Sequence, residues 1–286
     1  ETRLNRTSLL ILPADLLGKH YWKTFHWLNM PCRHILICSL SAFAMLGVST
    51  EILLAQTPDL VTDRPDQTES SVVVPLGFAQ VETGYLYTRD SGSSSREAPG
   101  TLVRIGIARR VELRFGHAGF ISAASGSGVG DSQIGAKVNL VGESSWRPEV
   151  AVLTGFSLPT GQASLSSGRV DPSVLVAFSH TLSSRVSLGY NIGHSWESPN
   201  KISARQRLLR YSLALGVEIT DKFGGFVEAF GNRAFNSSRS PANSIDAGVT
   251  YLLADNIQLD MYAGRGLSTG AEDTFVGGGI SFRLPN

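Results

Sequence analysis

From Phe78 to Leu284 the chain alternates between two sets of residues, one apolar or aromatic, the other small, polar or charged. A period of two is the repeat of a β-strand with two different faces. The alternation predicts strands at Phe78–Thr88, Thr101–Arg109, Val111–Ala118, Ser132–Val141, Glu149–Pro159, Ser173–Thr181, Val186–His194, Arg210–Ile219, Phe223–Asn232, Ser244–Leu252, Ile257–Gly264 and Phe275–Leu284, about twelve in all. No convincing amphipathic helix separates any two of them. Neighbours joined without helices are antiparallel and run up and down.

The connections also alternate. "RDSGSSSREAPG", "GFISAASGSGVGD", "TGQASLSSGRVDP", "SWESPNKISARQR", "RAFNSSRSPAN" and "RGLSTGAEDT" are long, whereas the breaks at Arg109-Arg110, "LSSR", "TDK" and "ADN" are short, with "GESSWRP" between. A soluble sandwich has no reason for this rhythm. An outer-membrane barrel does, because its periplasmic turns are short and its external loops long.

The two faces fit the same reading. One parity carries runs such as Val103, Ile105, Ile107 and Tyr211, Leu213, Leu215, Val217. The other carries Glu82, Arg104, Glu112, Arg114, Lys137, Glu149, Glu218, Glu228, Asp246 and Asp260, with Gln133, Asn139 and many glycines. Parity alone does not say which face is buried. Two features favour an apolar exterior. The apolar set continues through nearly every strand, too tall for one soluble core. Tyr85, Tyr87, Phe115, Phe156, Tyr190 and Tyr251 fall near predicted strand ends, as interfacial girdles do. The expected fold is therefore all-β: a transmembrane antiparallel up-and-down β-barrel in the outer membrane of a Gram-negative bacterium, surrounded by lipid. The last strand, "GGISFRLPN", places Gly279, Phe282 and Leu284 in a partial match to barrel C-termini, without a terminal aromatic.

Residues 30–55 have the layout of a secretory signal peptide: Arg33 and His34, an apolar run Ile35–Val48, and a small residue for cleavage at Ala55. Residues 1–29 read as an upstream extension, 56–77 as a periplasmic N-terminal segment and candidate plug, and 78–286 as the barrel. Both cysteines, Cys32 and Cys38, precede the barrel, which excludes a disulfide scaffold there. The formal net charge of +1 gives no basic face for nucleic acid. No cofactor or metal site is expected: His117, His180 and His194 fall at separated strand ends. A barrel hydrolase is disfavoured because Ser195 follows His194 directly, and adjacent strand residues face opposite sides. No enzymatic activity is expected.

The stretch Thr62-Asp63-Arg64-Pro65-Asp66-Gln67-Thr68-Glu69-Ser70, followed by the spacing Pro75-x-Gly77-x-x-Gln80-x-Glu82-x-Gly84, resembles the start of a family of outer-membrane transporters labelled after the meta-cleavage pathway of phenol degradation. The resemblance runs from Asp59 to the C-terminus. It implies an outer-membrane β-barrel, inserted by the barrel-insertion machinery, and carries no implication of enzymatic phenol breakdown. The functional expectation is a channel for small solutes, with hydrophobic or aromatic compounds suggested by the family label alone. A structural or adhesive barrel and, more remotely, a lipid hydrolase are the alternatives. The inward charges are the candidate lumen lining. Asp63, Arg64, Asp66 and Glu69 are the candidate plug or gate, with Arg64, Asp66 and Glu69 expected to pair with the inward charges.

Overall fold

A computed structural model describes residues 58–198, 204–235 and 240–285. The upstream extension and the signal peptide lie outside these residues. The described chain forms one antiparallel sheet. Its strands are β1 (Ala79–Asp90), β2 (Ser93–Ala108), β3 (Val111–His117), β4 (Phe120–Ala123), β5 (Gly126–Val129), β6 (Ser132–Val141), β7 (Glu149–Leu158), β8 (Asp171–Ser183), β9 (Val186–Glu197), β10 (Gln206–Thr220), β11 (Phe223–Ala234), β12 (Ala242–Ala254), β13 (Ile257–Gly266) and β14 (Thr274–Leu284). β1 pairs with both β2 and β14, which closes the sheet into a barrel. β4 and β5 form a hairpin outside the barrel proper, so twelve strands make the wall.

The barrel is apolar outside and charged inside. Its largest fully buried side chains include Arg104, Arg283, Lys137, Gln80, Glu82, Glu112 and Glu228. Tyr85, Phe115, Phe156, Leu213, Tyr251 and Met261 are exposed. Water would reverse this arrangement; hydrocarbon requires it, and closure leaves no sheet edge unpaired in lipid.

The connections differ from expectation in two places. The first connection is not a long loop. β1 continues to Asp90 and β2 begins at Ser93, so only Ser91 and Gly92 turn the chain. Both have positive φ, 50° and 81°. That is the requirement of a two-residue hairpin turn whose twist matches its strands. The polar stretch that looked like a loop is an upright ribbon, and β4 extends it by pairing with Arg96–Ala98. "GFISAASGSGVGD" likewise folds into the β4–β5 hairpin rather than an irregular loop.

At the opposite rim, all five turns carry a register shift just before or after the turn, at Gly106/Ala108, Asn139/Val141, Thr181/Ser183, Glu218/Thr220 and Leu252/Ala254. Each is a bulge that adds local twist where the strands must reverse.

Candidate functional site in the barrel lumen

Residues 58–77 run inside the barrel, against its polar wall. Among the described residues, every barrel strand except β12 donates or accepts at least one hydrogen bond with this segment. Arg283 of β14 donates to the Asp59 carbonyl and, through its other terminal nitrogen, to that of Pro58. Gln80 and Arg104 donate to the Val61 carbonyl. Asn139 donates to the Ser71 carbonyl at 3.2 Å. Ser71 Oγ donates to Glu149 of β7 and accepts from the Ser179 hydroxyl of β8, each at 2.8 Å. The Glu69 amide donates to Asn191, which returns a bond to the Glu69 carbonyl. Thr68 donates to Glu228 of β11 and accepts from the Ser212 hydroxyl of β10.

The charged residues are segregated across the lumen. Arg104, Arg114 and Lys137 lie on β2, β3 and β6; Glu228, Asp246 and Asp260 lie on β11, β12 and β13. The adjacent pair Asp63-Arg64 spans this division. Asp63 accepts from Lys137 at 2.8 Å and from Arg114 at 2.5 Å, and lies 3.2 Å from Arg104. Arg64 reaches the other way to Asp260 at 3.0 Å. The dipeptide is a dipole aligned with the field of the wall, which fixes one docking orientation.

Two carboxylates complete the basic side. Glu82 accepts from the backbone amides of Asp63 and Arg64, each at 3.0 Å, and from Arg104. Glu112 accepts from Arg104, from Arg114 and from the Val74 amide at 2.7 Å. Every one of these charges is nearly dry: Arg104, Glu82, Glu112 and Lys137 have side-chain exposure of 0%. Buried charges are tolerated only with this density of partners. The segment also folds on itself, since Asp63 Oδ1 accepts from the Ser70 amide and hydroxyl.

Glycines make the docking groove. Gly84 of β1 and Gly279 of β14 are register partners. A Cβ on either would strike the Arg64 guanidinium, and one on Gly106 would strike the Val74 and Pro75 carbonyls. The Gln80-x-Glu82-x-Gly84 spacing thus reads as three consecutive inward positions, two that hold the segment and one that leaves room for Arg64.

The sequence-derived candidates are distributed as follows. Glu82, Arg104, Glu112, Arg114, Lys137 and Asp63 form one network. Arg64 joins Asp260, and Glu69 joins Arg114 at 2.8 Å. Glu149 and Glu228 hold the segment by hydrogen bonds. Glu218 sits apart, exposed at the rim of the short turns. Asp66 does not pair with a base among the described residues; it lies against Glu228, Asp63 and Asp246, which is a correction to the expected pairing. The sequence reading put Asp63 among the plug residues but missed it as the centre of the network. It also missed Asn191, Ser179 and Arg283. Arg283 had a signal: it lies between the outward Phe282 and Leu284.

No Ser–His pair forms at the site considered for hydrolysis. Ser195 is buried and donates to Glu197, while the His194 ring stands edge-on to Trp196 at 4.8 Å.

The segment's acids titrate in opposite senses. Burial would raise Asp63, but Arg104, Lys137 and Arg114 hold it well below the usual carboxylate range. Burial, with Glu228, pushes Asp66 well above that range. Burial pushes Glu69 up to about 7 against the pull of Arg114. A raised carboxyl binds more protons docked than released, so its share of docking strengthens as pH falls through about 7 and weakens as pH rises through it. The Asp63 share is present above the usual carboxylate range and disappears only as pH falls through its lowered value. The segment should therefore hold more tightly near pH ~5.5 than near pH ~8. Single-channel open probability should fall over that interval on acidification; a rise would contradict the assignment.

Solved structures with this architecture include the COG4313 outer membrane channel from Pseudomonas putida F1, 14% identical with a TM-score of 0.60, the match covering 78% of this chain and 100% of that one. The NanC porin is 14% identical with a TM-score of 0.52, covering 72% and 100%. The KdgM porin is 10% identical with a TM-score of 0.50, covering 71% and 98%. At such identities the likeness is one of fold. No curated protein matches the chain. A family model matches residues 62–284, from the first residues of the lumenal segment to the end of β14, and the chain belongs to that family, described as "Putative MetA-pathway of phenol degradation".

Proposed function

We propose that the protein is an outer-membrane channel for small solutes, with residues 62–70 as its gate. The observation that carries this reading is the kind of contact holding the segment. It is gripped by ion pairs and hydrogen bonds, which water can replace, and not by an apolar core. Open space on both sides supports it. A cavity of about 330 Å³ lies among the short turns and is lined by Arg64 and Asp66. A second, of about 260 Å³, lies against Asp66, Glu69 and Arg210. Asp66 lines both, so the turn around it is the partition. Displacing that turn joins the two spaces.

The family's label points to aromatic compounds as the solutes, and the polar wall suits molecules that carry at least one hydrogen-bonding group. The apolar outer wall faces lipid, and Phe282 and Leu284 of β14 present the outward pattern offered to insertion machinery. Purified full-length protein in planar bilayers should show intermittent openings under applied voltage. Silence at every voltage from a barrel that still migrates differently before and after boiling would overturn the channel reading.

A further inference from the structure

β12 is the barrel strand that gives the segment no hydrogen bond among the described residues. Its inward carboxylate, Asp246, is 3% exposed. Neither of its oxygens has a hydrogen-bond partner among the described residues. Asp246 is the register partner of Glu228. The Asp246 Cβ and the Phe275 ring edge crowd the same space over Gly264. Beside this group opens a cavity of about 380 Å³ whose walls include Phe230, Tyr262, Phe275, Leu86, Gln67 and Glu272.

The rings are arranged around one another. Phe230 and Phe275 meet with centroids 5.9 Å apart at 63°, and Tyr262 and Phe275 at 6.4 Å and 56°. No Arg or Lys lines the cavity, and its one ionisable carboxyl is Glu272. Three cations of the lumen, Arg104, Arg114 and Lys137, are tied up on the opposite wall with Asp63, Glu82 and Glu112, and Arg210 lines the adjoining cavity rather than this one. Tyr262 already receives one cation from its own chain: the Arg64 guanidinium lies 6.0 Å from its ring centroid. Aromatic faces attract cations through the ring quadrupole, and nearby carboxylates add to that attraction. A pocket of this size holds a small molecule.

We infer that this cavity binds a small organic cation, an ammonium or amidinium group on an apolar or aromatic body. The body lies among Phe230, Tyr262 and Phe275. The charged head lies towards Glu272, in the negative potential of Asp246 and Glu228. An aromatic anion of the same size faces Glu272, Asp246 and Glu228, and the nearest cation, Arg64, is already paired with Asp260, so the anion is disfavoured. The inference rests on the channel reading only in that the ligand would be a solute on its way through the lumen; the binding itself does not require conduction.

The test is calorimetric titration of the full-length protein in a non-ionic detergent, with protein-free micelles subtracted. The probes are benzyltrimethylammonium, its neutral isostere neopentylbenzene, and phenylacetate. Benzyltrimethylammonium should bind saturably and about tenfold more tightly than either of the others. Glu272→Gln lies in an exposed connection, keeps an acceptor for Thr88 of β1 in the side-chain amide oxygen, and should weaken cation binding by about fivefold without affecting neopentylbenzene. Equal affinity for the cation and its isostere, tighter binding of phenylacetate, or an unchanged Glu272→Gln variant would overturn the site. Saturable cation binding by a barrel that never conducts would leave the site standing and reject the channel. Conduction without cation binding would do the reverse.

Discussion

Removing residues 62–70 should turn a mostly closed barrel into an open one, raising mean conductance by about an order of magnitude over the full-length protein. The deletion takes away Asp63 and Arg64, whose charges bind the segment to the wall, together with Thr68, Glu69 and Ser70, which hydrogen-bond to it. It also removes the partition at Asp66 between the lower and upper cavities. The barrel itself should persist. Its wall is held by backbone ladders through twelve strands, none of which includes the deleted residues. Arg104 keeps Glu82 and Glu112 as partners, and the other wall charges become hydrated once the lumen fills with water. The bore of a twelve-stranded barrel is modest, so the open pore should remain narrower than that of a sixteen-stranded porin. Unchanged conductance from an intact, heat-modifiable barrel would reject the gate.

A single substitution should approach this result. Asp63→Asn keeps the shape of the side chain and a hydrogen-bond acceptor for Ser70, but removes the segment's own charge that faces Arg104, Arg114 and Lys137 together, leaving only Glu112 of the wall against all three. Losing one partner of a buried ion pair costs about 3 kcal/mol, which is roughly a hundredfold in the ratio of docked to released segment. The expected outcome is frequent opening with an unchanged barrel, read as open probability in bilayers alongside heat-modifiable migration. Asp66→Asn should act in the opposite direction. Asp66 faces the carboxylates Glu228, Asp63 and Asp246, so neutralising it removes repulsion and favours the docked state. If the two substitutions shifted opening in the same direction, the division of the lumen into basic and acidic walls would be wrong as an account of docking.

Much of the barrel is legible in the chain because membrane strands alternate with a period of two, and the short turns mark one rim. Parity puts Glu82, Arg104, Glu112 and Lys137 on one face, and the unbroken apolar run of the other face puts them inside, where they are among the best buried charges of the described residues. Parity cannot say which inward residue meets which. Asp63, Lys137 and Arg114 are brought together by register and by the path of the segment, and neither is written in local spacing. The same limit hid the Gly84–Gly279 groove, since two glycines far apart in sequence become neighbours only when β1 and β14 close the barrel. The β1–β2 ribbon was misread for a different reason. Ser, Arg and Glu at its tip look like loop composition, but a strand pair standing in water needs no apolar face. Its turn signal, Ser91-Gly92, sat inside the stretch read as loop. The inward aromatics Phe230 and Tyr262 were recoverable, because each stands two residues beyond an inward acid, Glu228 and Asp260.

The central claim is that the lumenal segment closes the channel by docking and opens it by leaving. Ser71 of the segment and Ser179 of β8 are in direct contact, hydroxyl to hydroxyl at 2.8 Å, close enough for a disulfide to replace them. The natural cysteines, Cys32 and Cys38, both precede the described residues. The decisive measurement is single-channel recording of Ser71→Cys with Ser179→Cys in the Asp63→Asn background, starting oxidised and then adding a reductant. The account predicts a silent channel while the cross-link holds and frequent openings after reduction. Openings of the same size and frequency before and after reduction, with the cross-link verified by mass, would contradict it.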